Sequence, residues 1–151
     1  MPLRIVGSGP DMQRLRAMAG PTITFTGWAP RESLPGIFAG CRALVFPGEE
    51  DFGIVPVEAM ASGKPVIALG RGGALETVVD IDNSQKRSPT GIFYYDQSIE
   101  CLIDAVLRFE RLRPAFSPER IREHSCSFRR ERFEAEVANF ISREQGAFRR
   151  A

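Results

Sequence analysis

The sequence predicts an α/β domain built on a doubly wound, mainly parallel sheet, and three observations carry that prediction. Compact apolar runs such as Arg42-Ala43-Leu44-Val45-Phe46-Pro47 and Pro65-Val66-Ile67-Ala68-Leu69 have the composition of strands covered on both faces. Each ends in a turn of glycines or acids, after which apolar residues recur at helical spacing. The intervals between the runs leave room for the helical crossover that parallel strands require. Sheets of this kind bind ligands at the carboxyl ends of their strands.

Taken in order, the first strand is predicted over Leu3-Arg4-Ile5-Val6. The turn Gly7-Ser8-Gly9-Pro10 leads to Asp11, suited to capping a helix that carries Met12, Leu15 and Met18 on one face. Gly20-Pro21 stops that helix, and Thr22-Ile23-Thr24-Phe25-Thr26 alternates as a second strand closed by Gly27-Trp28. A short helix is expected from about Arg31 to Ala39. The strand ending at Pro47 opens into the acidic turn Gly48-Glu49-Glu50-Asp51. The helix beyond it turns Val57, Met60 and Ala61 inward and ends at Ser62-Gly63-Lys64-Pro65, a glycine-then-proline stop. The strand Pro65 to Leu69 is followed by the turn Gly70-Arg71-Gly72-Gly73 and a polar loop from Asp80 to Thr90. Gly91-Ile92-Phe93-Tyr94-Tyr95 is the last strand, and Ile99 to Glu110 a helix with Leu102, Ile103, Val106, Leu107 and Phe109 clustered. After Pro118, the residues Phe133, Val137, Phe140 and Ile141 are spaced like one face of a long helix, with arginines on the solvated side. There is no fixed-period repeat, so a single domain over 1–151 is expected.

Composition narrows the partners. Twenty basic residues against 19 acidic ones give a formal charge of +1, which calls for neither nucleic acid nor an anionic membrane. Cys41, Cys101 and Cys126 are widely spaced and odd in number, which fits reduced thiols in a cytoplasm. With His124 as the sole histidine, no metal site is expected. No run approaches the roughly 20 apolar residues of a membrane span, and the first residues lack the apolar core of a signal peptide. Because Leu3 to Gly7 already forms a strand and its turn, a preceding segment is expected in the complete protein.

The most informative stretch runs from Phe46 to Ala68. It comprises a buried strand, an acidic loop, a glycine, and a helix whose N-terminus opens on the ligand side. Free amides around Phe52, Gly53, Ile54 and Val55 suit a phosphate, aided by a helix dipole of about half a charge. Glu50 and Glu58 lie eight positions apart, and carboxylates accept hydrogen bonds from sugar hydroxyls. A ligand with sugar on both sides of a diphosphate, a nucleotide sugar, suits both groups. Spacing alone equally fits a local role, in which Glu49, Glu50 and Asp51 complement the helix terminus and Glu58 is merely solvated.

This stretch closely resembles the E-x7-E region of the retaining glycosyltransferases of family four, whose usual form is E-G-F-G-L-x-x-L-E-A-M-A-x-G-x-P-V-I. Here the two acids are Glu50 and Glu58, with Asp51 in place of glycine and Val57 in place of leucine. The resemblance extends through Val6 to Pro10, Phe25-Thr26-Gly27, Gly72-Gly73 with Glu76, and Phe128 to Phe133. It implies the C-terminal, Rossmann-like half of a GT-B fold, lacking its first strand and helix and the N-terminal acceptor domain. By resemblance Glu50 holds donor-sugar hydroxyls and is the catalytic candidate. The amides from Gly53 to Val55 hold the diphosphate or neighbouring sugar, and Glu58 holds the ribose. Gly27-Trp28-Ala29-Pro30 lies where family members touch the nucleobase, although Trp28 equally suits a lid on the core. The expected ligand is a nucleotide sugar, with no cofactor and no metal, and the basic pair that normally grips the diphosphate is not found. The isolated chain is therefore expected to transfer little sugar.

The run Gly91 to Glu100 and the pattern Pro118-Glu119-Arg120-Ile121-Arg122 resemble mannosyltransferases of surface-polysaccharide assembly, which favours GDP-mannose as donor and a glycan or lipid-linked acceptor at the inner membrane face. The alternatives are a UDP-hexose donor on the same fold and a truncated, non-catalytic nucleotide-binding module. A nicotinamide-dependent oxidoreductase is disfavoured, because Gly7-Ser8-Gly9-Pro10 is not a G-x-G-x-x-G fingerprint. Gly7 and Gly9 are instead assigned to a tight turn near the donor. Gly72-Gly73 either shapes the donor pocket or is a plain loop, and Glu76 is expected to pair with or cap the following helix. Asp80-Ile81-Asp82 spells D-x-D but is expected to be solvated loop, and His124 a surface or packing residue. The face that would dock the absent domain suits self-association.

Overall fold

The computed structural model describes residues 1–83 and 87–148. The chain divides into two compact units, Met1–Ile37 and Phe38–Ala151. All strands pair in parallel, as predicted, but they are hydrogen-bonded as one two-stranded and one three-stranded sheet. Of the polar loop predicted from Asp80 to Thr90, Ser84, Gln85 and Lys86 lie outside the described residues.

In the first unit β1 (Leu3–Val6) pairs with β2 (Ile23–Gly27), and α1 (Met12–Met18) connects them. A single 3-10 turn, Arg31–Ser33, leads into α2 (Leu34–Gly40). Thr24 and Thr26 donate their hydroxyls across the pair to the carbonyls of Leu3 (3.4 Å) and Ile5 (3.2 Å). The alternation read from Thr22 to Thr26 is present: Ile23 and Phe25 are half-buried while Thr24 and Thr26 are exposed. The helix departs from expectation in two ways. Asp11 does not cap it; its carboxylate instead accepts from Arg14 Nε at 3.2 Å, and its own backbone is already helical. Nor does α1 supply a core, for Met18 is 71% exposed and no residue from Met1 to Ile37 is buried. Helical spacing places side chains on one face, but covering that face needs more apolar surface than a unit of this size holds.

The second unit is built on β3 (Leu44–Phe46), β4 (Val66–Leu69) and β5 (Gly91–Tyr94), in the order β3-β4-β5. Every residue of β4 and β5 is buried, as the apolar runs predict for parallel strands covered on both faces. Among the described residues this unit carries α3 (Ile54–Ala61), α4 (Ala74–Thr77), α5 (Ile99–Leu112), α6 (Pro118–Ser125) and α7 (Arg130–Phe148), together with the end of α2. The α5 N-terminus is capped by the Ser98 hydroxyl, which accepts from the Cys101 amide, and that of α6 by Ser117, which accepts from Arg120. Ala59 and Met60 of α3 and Ile121 of α6 are fully buried. Gly63 ends α3 so tightly against α6 that an added Cβ would sit 3.0 Å from the Pro118 carbonyl.

Two further expectations change here. The D-x-D run is not uniformly solvated: Asp80 is 4% exposed and accepts from the Phe93 amide of β5 at 3.2 Å. Asp82 does face solvent and pairs with Arg108 at 2.6 Å. The C-terminal segment forms two helices split by a 3-10 turn at Cys126–Phe128. The apolar side of α7 exists as spaced, yet Phe133 and Phe140 are 67% and 56% exposed.

Candidate functional site

At the carboxyl end of β3 the chain leaves the sheet through Pro47 to Phe52 and enters α3. Gly53 stands at the helix entry with φ +77°, a left-handed conformation that costs any residue with a Cβ about 1–2 kcal/mol. Space is not the reason for glycine there, since an added Cβ would meet Phe46 and Pro56 at an ordinary 3.5 Å. No side chain caps α3, and its first turn holds no acid. Pro56 lacks an N–H, so the donors left at this terminus are the amides of Gly53, Ile54 and Val55. The side chains of Phe52, Ile54 and Val55 are exposed around them. This is the disposition that favours an anion.

Glu50 is exposed in the loop and Glu58 is half-buried in the second turn of α3. Among the described residues neither carboxylate has a hydrogen-bonding or ion-pair partner. None of the loop acids lies in the first turn of α3 or caps it.

The loop is held by the next strand's turn. The Gly73 amide donates to the Glu50 carbonyl at 2.8 Å. At Gly73 an added Cβ would lie 2.5 Å from the carbonyl oxygens of both Asp51 and Phe52, and at Gly72 it would strike the Glu50 carbonyl. Of the two roles open to Gly72-Gly73, shaping the site is therefore the one this contact supports. Spacing gives no sign of it, because the contact joins segments about twenty residues apart. Gln97 adds a further tie, donating Nε2 to the Pro47 carbonyl at 3.3 Å. Glu76 is exposed in the short α4, where it joins no ion pair among the described residues and caps nothing, contrary to expectation. His124 is a packing residue with a specific partner: its Nε2 lies 2.8 Å from the Thr77 carbonyl and its ring 5.6 Å from that of Phe128.

Gly7, Gly9, Gly27 and Trp28 belong to the first unit. Two of them meet there, for the Gly7 amide donates to the Gly27 carbonyl at 2.7 Å where β1 and β2 end. Gly9 opens the turn into α1 by accepting from the Met12 amide at 3.1 Å. Trp28 is 75% exposed, so it is no lid on a core.

Parallel sheets flanked by helices place the protein in the Rossmann-like α/β class, in which ligands bind at the carboxyl ends of the strands. The chain belongs to the family described as glycosyl transferases group 1, whose model matches residues 1–110. It is 35% identical over 117 residues to a GDP-mannose-dependent alpha-(1-6)-phosphatidylinositol monomannoside mannosyltransferase of Mycobacterium tuberculosis, covering 69% of this chain and 29% of that one. It is 33% identical over 106 residues to a 2-deoxystreptamine glucosyltransferase of Streptomyces kanamyceticus, covering 66% of this chain and 27% of the relative. Among solved structures, a sucrose-phosphate synthase of Thermosynechococcus elongatus superposes with a TM-score of 0.78 at 26% identity, over 96% of this chain and 39% of that one. Anabaena Alr3699/HepE in complex with UDP-glucose shares the fold with a TM-score of 0.67 at 22% identity, over 93% and 40% of the two chains. The chain thus spans between a quarter and a third of the length of these two curated relatives.

Proposed function

We propose that this chain is the donor-binding part of a retaining glycosyltransferase that takes a hexose from a nucleoside diphosphate, with GDP-mannose as the donor. One observation carries the reading: the unpartnered carboxylates of Glu50 and Glu58 flank an uncapped helix terminus whose free amides are those of Gly53, Ile54 and Val55. The amides suit the diphosphate, and each carboxylate suits hydroxyls, Glu50 those of the transferred sugar and Glu58 those of the ribose. As the glycosidic bond to the diphosphate breaks, negative charge grows on the leaving oxygen while the sugar gains oxocarbenium character. Amides fixed in advance at a helix N-terminus stabilise that charge without reorganising. Glu50, placed against the sugar, orients it and offers negative charge to the electron-poor ring.

The relationship to a GDP-mannose-dependent enzyme supports guanine and mannose. The glucosyltransferase relative supports a second reading, a glucosyl donor on the same site. The acceptor is proposed to be a glycan or lipid-linked oligosaccharide, bound through a separate N-terminal domain in the cytoplasm at the inner membrane face. Among the described residues no helix is long and apolar enough to cross a membrane.

Calorimetric titration of the chain with GDP, UDP and NAD, repeated on Glu58→Ala, tests the assignment. GDP is expected to bind best and the substitution to weaken it about tenfold, the cost of a charge-assisted hydrogen bond. Tighter binding of UDP would replace the donor, and binding indifferent to Glu58 would remove the ribose role.

A further inference from the structure

Resting on that donor-site reading, we propose that His124 and Phe128 are positioning residues that set the geometry of the Glu50–Gly53 loop without touching the donor. The loop has no regular secondary structure of its own, and beyond the Gln97 tie at Pro47 two contacts among the described residues fasten it. One is the Gly73 amide, which donates to the Glu50 carbonyl at 2.8 Å. The other is the Phe52 ring, set edge-on against Phe128 with centroids 6.0 Å apart.

The first fastening depends on α4, which follows Gly73 at its N-cap and is only four residues long. A helix so short does not hold itself in water. Its last residue, Thr77, is fully buried and donates its hydroxyl back to the Gly73 carbonyl at 3.0 Å. The Thr77 carbonyl is one of the acceptors that a helix end leaves without an intrahelical partner. His124 fills it, and a carbonyl partner requires that Nε2 carry the proton. His124 in turn packs edge-on against Phe128 at 5.6 Å, which brings the chain of contacts back to Phe52.

What fixes His124 is the helix that also fixes Glu58. Fully buried Ile121 anchors α6, and α6 lies against the end of α3 at Gly63. The helix bearing Glu58, the turn of α4, and the loop bearing Glu50 are thereby tied to one another through α6. The circuit runs from α3 to α6, through His124 to Thr77 and Gly73, and from the Glu50 carbonyl back into α3. Loss of the Thr77 contact frees Gly73 and, with it, the Glu50 backbone.

The test uses the full chain with three substitutions, measured by amide hydrogen exchange at residues 49–53, by titration with GDP and UDP, and by thermal unfolding. His124→Phe keeps a ring against Phe128 but removes the donor. His124→Gln restores a donor near the Nε2 position, and Phe128→Leu removes the edge-on contacts while leaving an apolar side chain. The expected result for His124→Phe is faster exchange across 49–53 and nucleotide affinity reduced on the order of fivefold, both largely restored in His124→Gln. Phe128→Leu is expected to accelerate exchange at Phe52 and Gly53 in particular. Unchanged exchange at 49–53 in both His124→Phe and Phe128→Leu overturns the proposal, as does a loss in His124→Phe that only follows its melting temperature and is not rescued by glutamine. If the unsubstituted chain binds neither nucleotide, the donor reading fails, and the exchange data still decide the positioning role.

Discussion

The two units of this chain carry similar sequence signals and bury very different amounts of surface. Residues Met1–Ile37 present two strands, one with apolar alternation, and a helix with apolar residues at regular spacing, yet none of these residues is buried. In Phe38–Ala151 every residue of β4 and β5 is buried, and Met60, Ile67, Leu69, Ile92 and Ile121 lie at 2% exposure or less. The lesson is that periodicity specifies a face, while stability depends on whether other elements cover it. The glycine turns follow the same division: Gly7 and Gly27 sit on the uncovered pair, while Gly53 lies against Phe46 and Pro56 and Gly73 against the Asp51–Phe52 backbone.

The largest effect that sharpens the contrast is cavity formation. Met60→Ala in the second unit is expected to cost about 2–5 kcal/mol, whereas Leu15→Ala in the first, 38% exposed, is expected to stay within about 0.5 kcal/mol. Urea unfolding of both variants checks this, and equal losses would erase the distinction. Next, Gly73→Ala is expected to cost about 1–3 kcal/mol through overlap with the Asp51 and Phe52 backbone, and to abolish nucleotide binding as the loop shifts. Gly20→Ala, where nothing lies within 4 Å and φ is not in the left-handed region, serves as the neutral counterpart in the same melts and titrations.

A subtler contrast concerns amide protection. Exchange in β4 and β5 is expected to require opening of the second unit, while β1 and β2 exchange through local fraying at far lower cost. Comparable protection factors in the two sheets would contradict it. The smallest effect is a titration. Burial, partly offset by Lys64, raises the Cys41 thiol above its ordinary value. A thiol raised in the folded state favours the protonated form, so its stabilising contribution is complete below its unfolded pKa of about 8.5 and is lost as pH rises through the folded value. Alkylation of Cys41 should accordingly lag that of a free thiol at neutral pH, and Lys64→Gln should slow it further.

Much of this was legible because it is local. The strands β4 and β5 announce themselves as uninterrupted apolar runs, and the acidic loop, the glycine and α3 follow one another in sequence, so the spacing of Glu50 and Glu58 survives folding intact. What was hidden depends on distant partners. Asp80 sits in a polar run that suggests a loop, and only the Phe93 amide that needs an acceptor explains its burial. Gly72 and Gly73 look like a flexible turn until the Glu50 and Phe52 backbones arrive against them. His124, a lone histidine among arginines, carries no local mark of the carbonyl it meets at Thr77. Asp11 errs the other way, since a residue well suited to capping instead pairs with Arg14.

The most direct test of the donor site is amide chemical-shift mapping of the isotope-labelled chain during titration with GDP. The resonances of Gly53, Ile54 and Val55 are expected to move first and furthest, saturating together, and Glu58→Ala to shift the midpoint to higher nucleotide concentration. Perturbations confined to α5 or α7, with the α3 terminus unmoved, would contradict the donor assignment.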